Sequence, residues 1–455
     1  MKDEQRAVSV KPERFTNRQL LALIGPLLLE QFLAIGVGLA DSLMVSHVGD
    51  AAISAVSLVD SISNLMIYAF SAMAAGGAAV AGQYIGRREA DNANNAAQHL
   101  VLLLGGVSVA ITLLLYLFQR AVLTTLFGHV EADVMAATNT YYRIVIASIP
   151  GIALYNGGAA ILRTIERSDI SLYVSLLMNA VNVTGNAILI FGLGMDVSGA
   201  AIPTLISRTL AAGVILTVLC NPKLALHLSN IRSFSFRPRL MRNILYIGIP
   251  SGIENGMFQL GRLVLFSLIS TFTTAAIVAN AIGNTLGNFH LFAGQAVNLG
   301  LTPVVSQCVG AGEYDEARYY MRKLTKVCYA LLIVVNLLIL AALPLIMRVY
   351  GVSPEAERLA IRVTVLHGVS SMILWTPSFL VPSFLRAAGD ARYTMIVSMC
   401  SMWLCRVLFA YILGKYLGYG VEGVWFAHAI LDWSTRSLIF FRRYRSGVWM
   451  EKAIR

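Results

Sequence analysis

GQYIGRREADNA, residues 82–93, returns as SQCVGAGEYDEA at residues 306–317. Gln, Gly, Glu, Asp and Ala recur in register, 224 positions apart. The same displacement carries Pro26 to Pro250, Glu30 to Glu254, Asn64 to Asn288 and Gly76 to Gly300. Further on, ILRTIERSDISLYVS from Ile161 meets FLRAAGDARYTMIVS from Phe384 at a displacement of 223. VSGAA from Val197 meets VEGVW from Val421, again at 224. Matches in order across both halves mark an internal duplication.

What is duplicated follows from composition. Hydrophobic residues make up 57% of the 455 and charged ones only 13%, with a mean hydropathy of +0.69. A soluble fold of this length cannot hide so much apolar surface, so the bilayer is the expected solvent. Runs of about 20 predominantly apolar residues, the length of a spanning helix, centre near 20–45, 54–80, 97–118, 138–162, 170–193 and 199–220. The second half supplies 244–270, 274–302, 325–348, 360–385, 394–417 and 421–440. Nothing alternates in the manner of barrel strands. The expectation is an all-α polytopic membrane protein of twelve transmembrane helices. An even six per half gives both halves the same orientation, hence two parallel repeats about an axis along the membrane normal, with a central cleft. The expected boundaries are a tail at 1–19, a first lobe at 20–220, a basic connector at 221–243, a second lobe at 244–441 and a tail at 442–455.

The net charge of +11 suggests nucleic acid until its placement is read. Lys2, Arg6, Lys11, Arg14 and Arg18 precede the first run; Arg87 and Arg88 follow the second, and Arg163 and Arg167 the fourth. Lys223 through Arg242 separate the halves, Arg318, Arg322, Lys323 and Lys326 follow the eighth run, Arg386 and Arg392 the tenth, and Arg442, Arg443 and Arg445 the last. On the alternate side SHVGD, GLGMDVSG and TFTT carry no Lys or Arg, and the loop around Arg348, Arg358 and Arg362 fits poorly. By the positive-inside rule both termini are cytoplasmic, and no nucleic-acid partner is expected. The polar first nineteen residues lack a small-residue cleavage site and read as an uncleaved signal-anchor leader. The five cysteines are scattered without metal or redox spacing. No phosphate loop, zinc spacing or nucleophile elbow appears, so neither an enzyme nor a cofactor is expected.

GLADSLMVSHVGDAAISAVSL from Gly38, GQYIGRREADNA, NAVNVTGNAILIFGLGMDVSGAAIPT from Asn179 and SQCVGAGEYDEA together resemble the multidrug and toxic compound extrusion (MATE) family over nearly the whole chain. An MFS transporter shares the six-plus-six arithmetic, but its usual Gly–Asp–Arg–Gly–Arg loop pattern is absent here. The MATE resemblance implies two six-helix lobes around a V-shaped, outward-opening cleft. It also implies efflux of cationic or amphipathic compounds against inward-flowing protons or sodium.

Within the runs, Asp41 stands out. A carboxylate at bilayer depth costs roughly 2.5–3.5 kcal/mol on insertion scales, so it favours protonation or a bound cation; the competing reading is a capping residue at the outer interface. The resemblance matches Asp41 to the family's first-lobe coupling aspartate, and Asn182 and Thr204 to further cation ligands. Asn186, where many members carry a second Asp, shares a helical face with Asn182. These four form the expected H⁺ or Na⁺ site, with Na⁺ at Asp41 the only metal considered. Interhelical hydrogen bonding is an equal alternative for the asparagines.

Glu30 and Glu254 each follow a proline, Pro26 or Pro250, by four residues, and both prolines are candidate hinges. Glu30 and Asp41 lie about 16 Å apart along one helix face and are expected to reach one cavity. The resemblance matches Glu254 to a second-lobe carboxylate whose tenth-span Asp partner is missing here. It is left to contact cationic substrate, to pair with Arg262 or Arg406, or only to fix lobe packing. Asn64 and Asn288 join the cavity candidates. His428 holds the place of Thr204 in the second half, with Asp432 one turn on; a structural hydrogen bond between them is favoured over a proton relay. The intramembrane charge reads as mainly acidic.

The reading reached is a monomeric secondary antiporter in a bacterial inner membrane, meeting small-molecule substrate and lipid. The alternative is a flippase of a lipid-linked saccharide, which several cationic residues in the cleft would favour. A passive membrane scaffold has little use for duplicated polar positions inside spans.

Overall fold

The computed structural model describes residues 14–127, 130–228 and 236–454. The expected tails and connector lie partly outside these residues, Lys2, Arg6 and Lys11 among them. Twelve helical segments follow one another. The first six are α1 (Asn17–Ser46), α2 (Asp50–Gly86), α3 (Ala90–Leu117), α4 (Ala132–Ile146 and Ile149–Thr164), α5 (Ser168–Gly192) and α6 (Ser198–Leu219). The second six are α7 (Pro238–Ile269), α8 (Thr274–Gly310), α9 (Tyr314–Tyr350), α10 (Pro354–Ala387), α11 (Ala391–Tyr416) and α12 (residues 420–446). A short helix, Gln119–Phe127, which hydropathy did not signal, joins α3 to α4. The described residues include no strand.

Among the described residues, eight helices are long and apolar enough to cross a membrane, and nine if α4 counts as one span. The remaining α7, α8 and α12 carry polar side chains along their length, among them Glu254, Arg262, Asn280, Asn284, His428 and Arg436. Most helices outrun their apolar stretches because polar end-turns continue the winding beyond the lipid-facing part. At the start of α1, for example, Thr16 accepts from the Gln19 backbone N–H while the Gln19 side chain accepts from that of Thr16. The fourth span is not straight. It bends by 42° between Ile146 and Ile149, where Pro150 lacks the N–H that would continue the ladder. Wider π turns end α5 (Ala187–Gly192) and interrupt α10 (Ser371–Trp375), α11 (Ser401–Leu408) and α12 (Ala427–Asp432).

The duplication is visible in the packing. Helix α1 lies against α8, and its counterpart α7 lies against α2, while α2 and α8 pack on each other. Within the lobes, α1 packs on α5 as α7 packs on α11.

The opening motif sits where α2 and α8 cross. A Cβ on Gly86 would stand 2.1 Å from the Gln307 carbonyl oxygen, and one on Gly310 would stand 2.0 Å from that of Gln83. Only glycine permits this approach. Gln83 Nε2 donates to Ala387 O at the end of α10, and Gln307 Nε2 donates to Thr164 O at the end of α4, both at 2.9 Å. Each lobe thus holds the other by the same residue. Arg14 pairs with Glu313 at 3.3 Å, and the Phe15 N–H donates to the Tyr320 hydroxyl at 2.7 Å, so the start of the described chain docks on the second lobe.

Candidate functional site

Three polar regions lie inside the helices. The first joins α1, α5 and α6. Asn186 Nδ2 donates to Asp41 Oδ1 at 2.9 Å. In the orientation that satisfies both ends of its amide, Asn182 donates to the Asp41 carboxylate at 3.0 Å and accepts from Thr204 Oγ1 at 3.1 Å. The four residues expected to form one cluster therefore do meet. Asn186 Oδ1 is buried without a partner, and a π turn follows this residue.

Sequence reading missed half of this cluster. Asp60 of α2 and Arg208 of α6 act on Asp41 through space. Tyr141 of α4 donates to Asp60 Oδ1 at 3.5 Å, and Arg208 Nη1 donates to Ser148 Oγ at 2.9 Å. The signal was available, because Asp60 and Arg208 are charges inside apolar runs and such charges are rarely idle. Asp41 is therefore not the only carboxylate here: Asp60 is a second, and both feel the Arg208 guanidinium through space.

The second region is a cavity of about 730 Å³ between the lobes, above the α2–α8 crossing. Gly38 and Leu39 of α1, Asn288 of α8 and Arg163 and Arg386 all line it. Its carboxylate, Glu30, is not free. Glu30 pairs with Arg163 at 3.4 Å and accepts from the Tyr155 and Ser171 hydroxyls. The second lobe repeats the pair: Arg386 Nη1 donates to both oxygens of Glu254 at 3.1 Å. Arg436 Nη2 stands 4.0 Å from Glu254 Oε1, stacked between Phe258 and Phe379.

Two expectations are corrected here. Glu254 pairs with Arg386, not with Arg262 or Arg406. Glu30 and Asp41 do not share a cavity, because Arg163 draws Glu30 toward α4 while the α5 amides hold Asp41. Helices α1 and α7 run unbroken through Pro26 and Pro250.

The third region, about 380 Å³, lies toward the second lobe, with Asn64, Arg262, Asn288, Arg406, Trp425 and His428 on its walls. His428 and Asp432 are not bonded to each other. The π turn over Ala427–Asp432 takes i and i+4 out of alignment. His428 packs on His367, Trp425 and Trp433, while Asp432 accepts from Ser401 Oγ at 2.5 Å. The expected excess of acidic charge is also corrected, since Arg163, Arg262, Arg386 and Arg406 all line cavities. Near the odd loop, Arg362 pairs with Glu422 at 3.0 Å.

The MatE family model matches residues 26–188 and again 250–412. The chain belongs to the MatE family of transporters. This MATE chain is 27% identical to the uncharacterized transporter YisQ of Bacillus subtilis, over 99% of the chain and 98% of the relative. It is 23% identical to the probable multidrug resistance protein NorM of Thermotoga maritima, over 96% and 94%. Among solved structures, a MOP superfamily transporter of Pyrococcus furiosus, described as having a binding pocket of reverse polarity, superposes with a TM-score of 0.86 at 19% identity. That alignment covers 96% of this chain and 97% of the other. The protein is thus an integral membrane transporter of MATE fold.

Proposed function

We propose that this MATE chain is a secondary antiporter of a bacterial plasma membrane, both termini cytoplasmic, that exports small amphipathic organic compounds and couples export to a cation at Asp41. One observation carries the reading: two amides of α5 grip an intramembrane carboxylate on α1, and α1 also lines the central cavity. Unoccupied, the cluster of Asp41, Asp60 and Arg208 has one net negative charge, which one proton or one Na⁺ cancels. A proton on Asp41 displaces one of the donated N–H groups, and that amide turns its oxygen to accept the new O–H. Na⁺ requires both amides to turn, with Thr204 Oγ1 adding an oxygen. Either event changes how α1 packs on α5, and with it the cavity wall.

The paired state of Glu30 and Glu254 supports the amphipathic half of the expected substrate class better than the cationic half. The arginines in the cleft favour one second reading, transport of a lipid-linked saccharide through its phosphate. Proteoliposomes separate these readings. With a pH or Na⁺ gradient imposed singly, an antiporter accumulates a soluble dye against the gradient. A flippase moves a labelled lipid-linked saccharide without either gradient.

A further inference from the structure

The duplication allows the first-lobe cluster to be laid over the second lobe residue by residue. Asp41 corresponds to Leu265, Asp60 to Asn284, Asn182 to Arg406 and Thr204 to His428, each 224 positions later. The two carboxylates are gone and a guanidinium stands where an amide stood. Arg262, on the same cavity wall, has Gly38 as its counterpart.

Arg406 is only 8% exposed. The π turn over Ser401–Leu408 sets it on the cavity wall. Its Nε is buried without a partner, and no hydrogen bond or ion pair holds the side chain among the described residues. Asp432 acts on it only through space, as do the like charges of Arg262 and Arg436. No carboxylate lines this cavity. In the surrounding lobe, Glu254 is taken by Arg386 and approached by Arg436, which leaves Arg262 and Arg406 without a carboxylate at contact distance. An unpaired guanidinium taken out of water is costly, and a planar fork of N–H donors fits carboxylate, sulfonate or phosphate oxygens. Trp425, Tyr68 and Phe266 supply apolar and aromatic wall, and Asn64 and Gln259 add amides.

We infer that this second-lobe cavity is a binding site for the oxyanionic head of an amphipathic aromatic compound, with Arg406 and Arg262 as its ligands. It rests on the transport reading only in that such a compound would be cargo. The two lobes then divide the labour by charge, the first taking the coupling cation and the second an anionic group. A small organic anion and a lipid phosphate both offer this chemistry.

Binding, measured on the purified full chain in neutral detergent, tests the site apart from transport. The probes are naphthalene-1-sulfonate and 1-naphthylmethylamine, which share a ring system and carry opposite charge. The sulfonate should bind more tightly than the ammonium. Arg262→Gln and Arg406→Gln should each weaken the sulfonate at least tenfold, about 1.4 kcal/mol, and leave the ammonium unchanged. Arg262 lies on the exposed wall, so its variant tests the site even if Arg406→Gln fails to fold. Asp41→Asn, which ends gradient-driven export if the transport reading holds, should keep full sulfonate affinity. Displacement by dihexanoyl phosphatidic acid would assign the site to a lipid phosphate, and failure to displace to a free organic anion; both uphold an oxyanion site. Tighter ammonium binding, or unchanged sulfonate affinity in a folded Arg262→Gln protein, overturns it.

Discussion

Asp41, Asp60, Asn182 and Thr204 in the first lobe correspond to Leu265, Asn284, Arg406 and His428 in the second. The frame around these positions stayed alike: Glu30 with Arg163 is matched by Glu254 with Arg386, and Gln83 with Ala387 by Gln307 with Thr164. What the repeats share holds the lobes together, and what they do not share has opposite charge. The shared pairs hold the frame, and the divergent positions are the ones we propose for coupling and substrate recognition.

The largest effect is expected at the shared crossing. Gly310→Val places a side chain against the Gln83 backbone, so the protein should fail to yield a monodisperse species on size exclusion. Gly38→Ala, with nothing within 4 Å of the added Cβ, should yield one normally. Similar yields would show that the crossing is not a structural clasp.

Next come the shared ion pairs. Arg386→Ala leaves Glu254, which is 3% exposed, with only the looser Arg436 contact at 4.0 Å, and should cost about 3 kcal/mol, the low end for removing one partner of a buried pair. Arg163→Ala should cost less, because Tyr155 and Ser171 still donate to Glu30. Thermal unfolding in detergent ranks the two. Glu254→Gln in the Arg386→Ala background should recover part of the loss, since the poorly compensated charge is gone while Arg436 loses its 4.0 Å contact. Alone, Glu254→Gln frees Arg386 on the central cavity wall and should therefore alter which substrates are exported more than it alters ion dependence; loss of coupling with binding intact would move the coupling site to the second lobe.

Smaller effects are expected from the neutral members of the divergent cluster. Asn182→Ala and Thr204→Ala each remove one uncharged partner, worth about 1 kcal/mol, and should weaken ion-driven efflux several-fold without ending it. An effect as large as that of Asp41→Asn would show that the amide or hydroxyl, not the carboxylate, carries the coupling.

Much of the architecture was legible in the chain because a repeat constrains many positions at once. Offsets of 224, and 223 over one stretch, related the lobes, and the motif that revealed them proved to be their crossing. The clustering of Asp41 with Asn182, Asn186 and Thr204 was legible through helical spacing and family resemblance. The ion pairs were not. Arg163 and Arg386 sit in matching stretches, yet both read as loop charges, because a linear pattern cannot show that the last turns of α4 and α10 line the cavity. Asp60 and Arg208 fell outside every motif and were recognisable only as intramembrane charges. The His428–Asp432 spacing misled because a π turn breaks the i,i+4 rule on which it rested.

The most direct test of the account is efflux from proteoliposomes carrying folded Asp41→Asn protein, with a pH or Na⁺ gradient imposed singly. Asparagine keeps the size of the side chain but fixes the cluster in its neutral state. The account predicts that substrate still binds, that passive counterflow persists, and that neither gradient drives net export. Gradient-driven export at the wild-type rate would contradict it, and would reduce Asp41 to a hydrogen-bonded contact between α1 and α5.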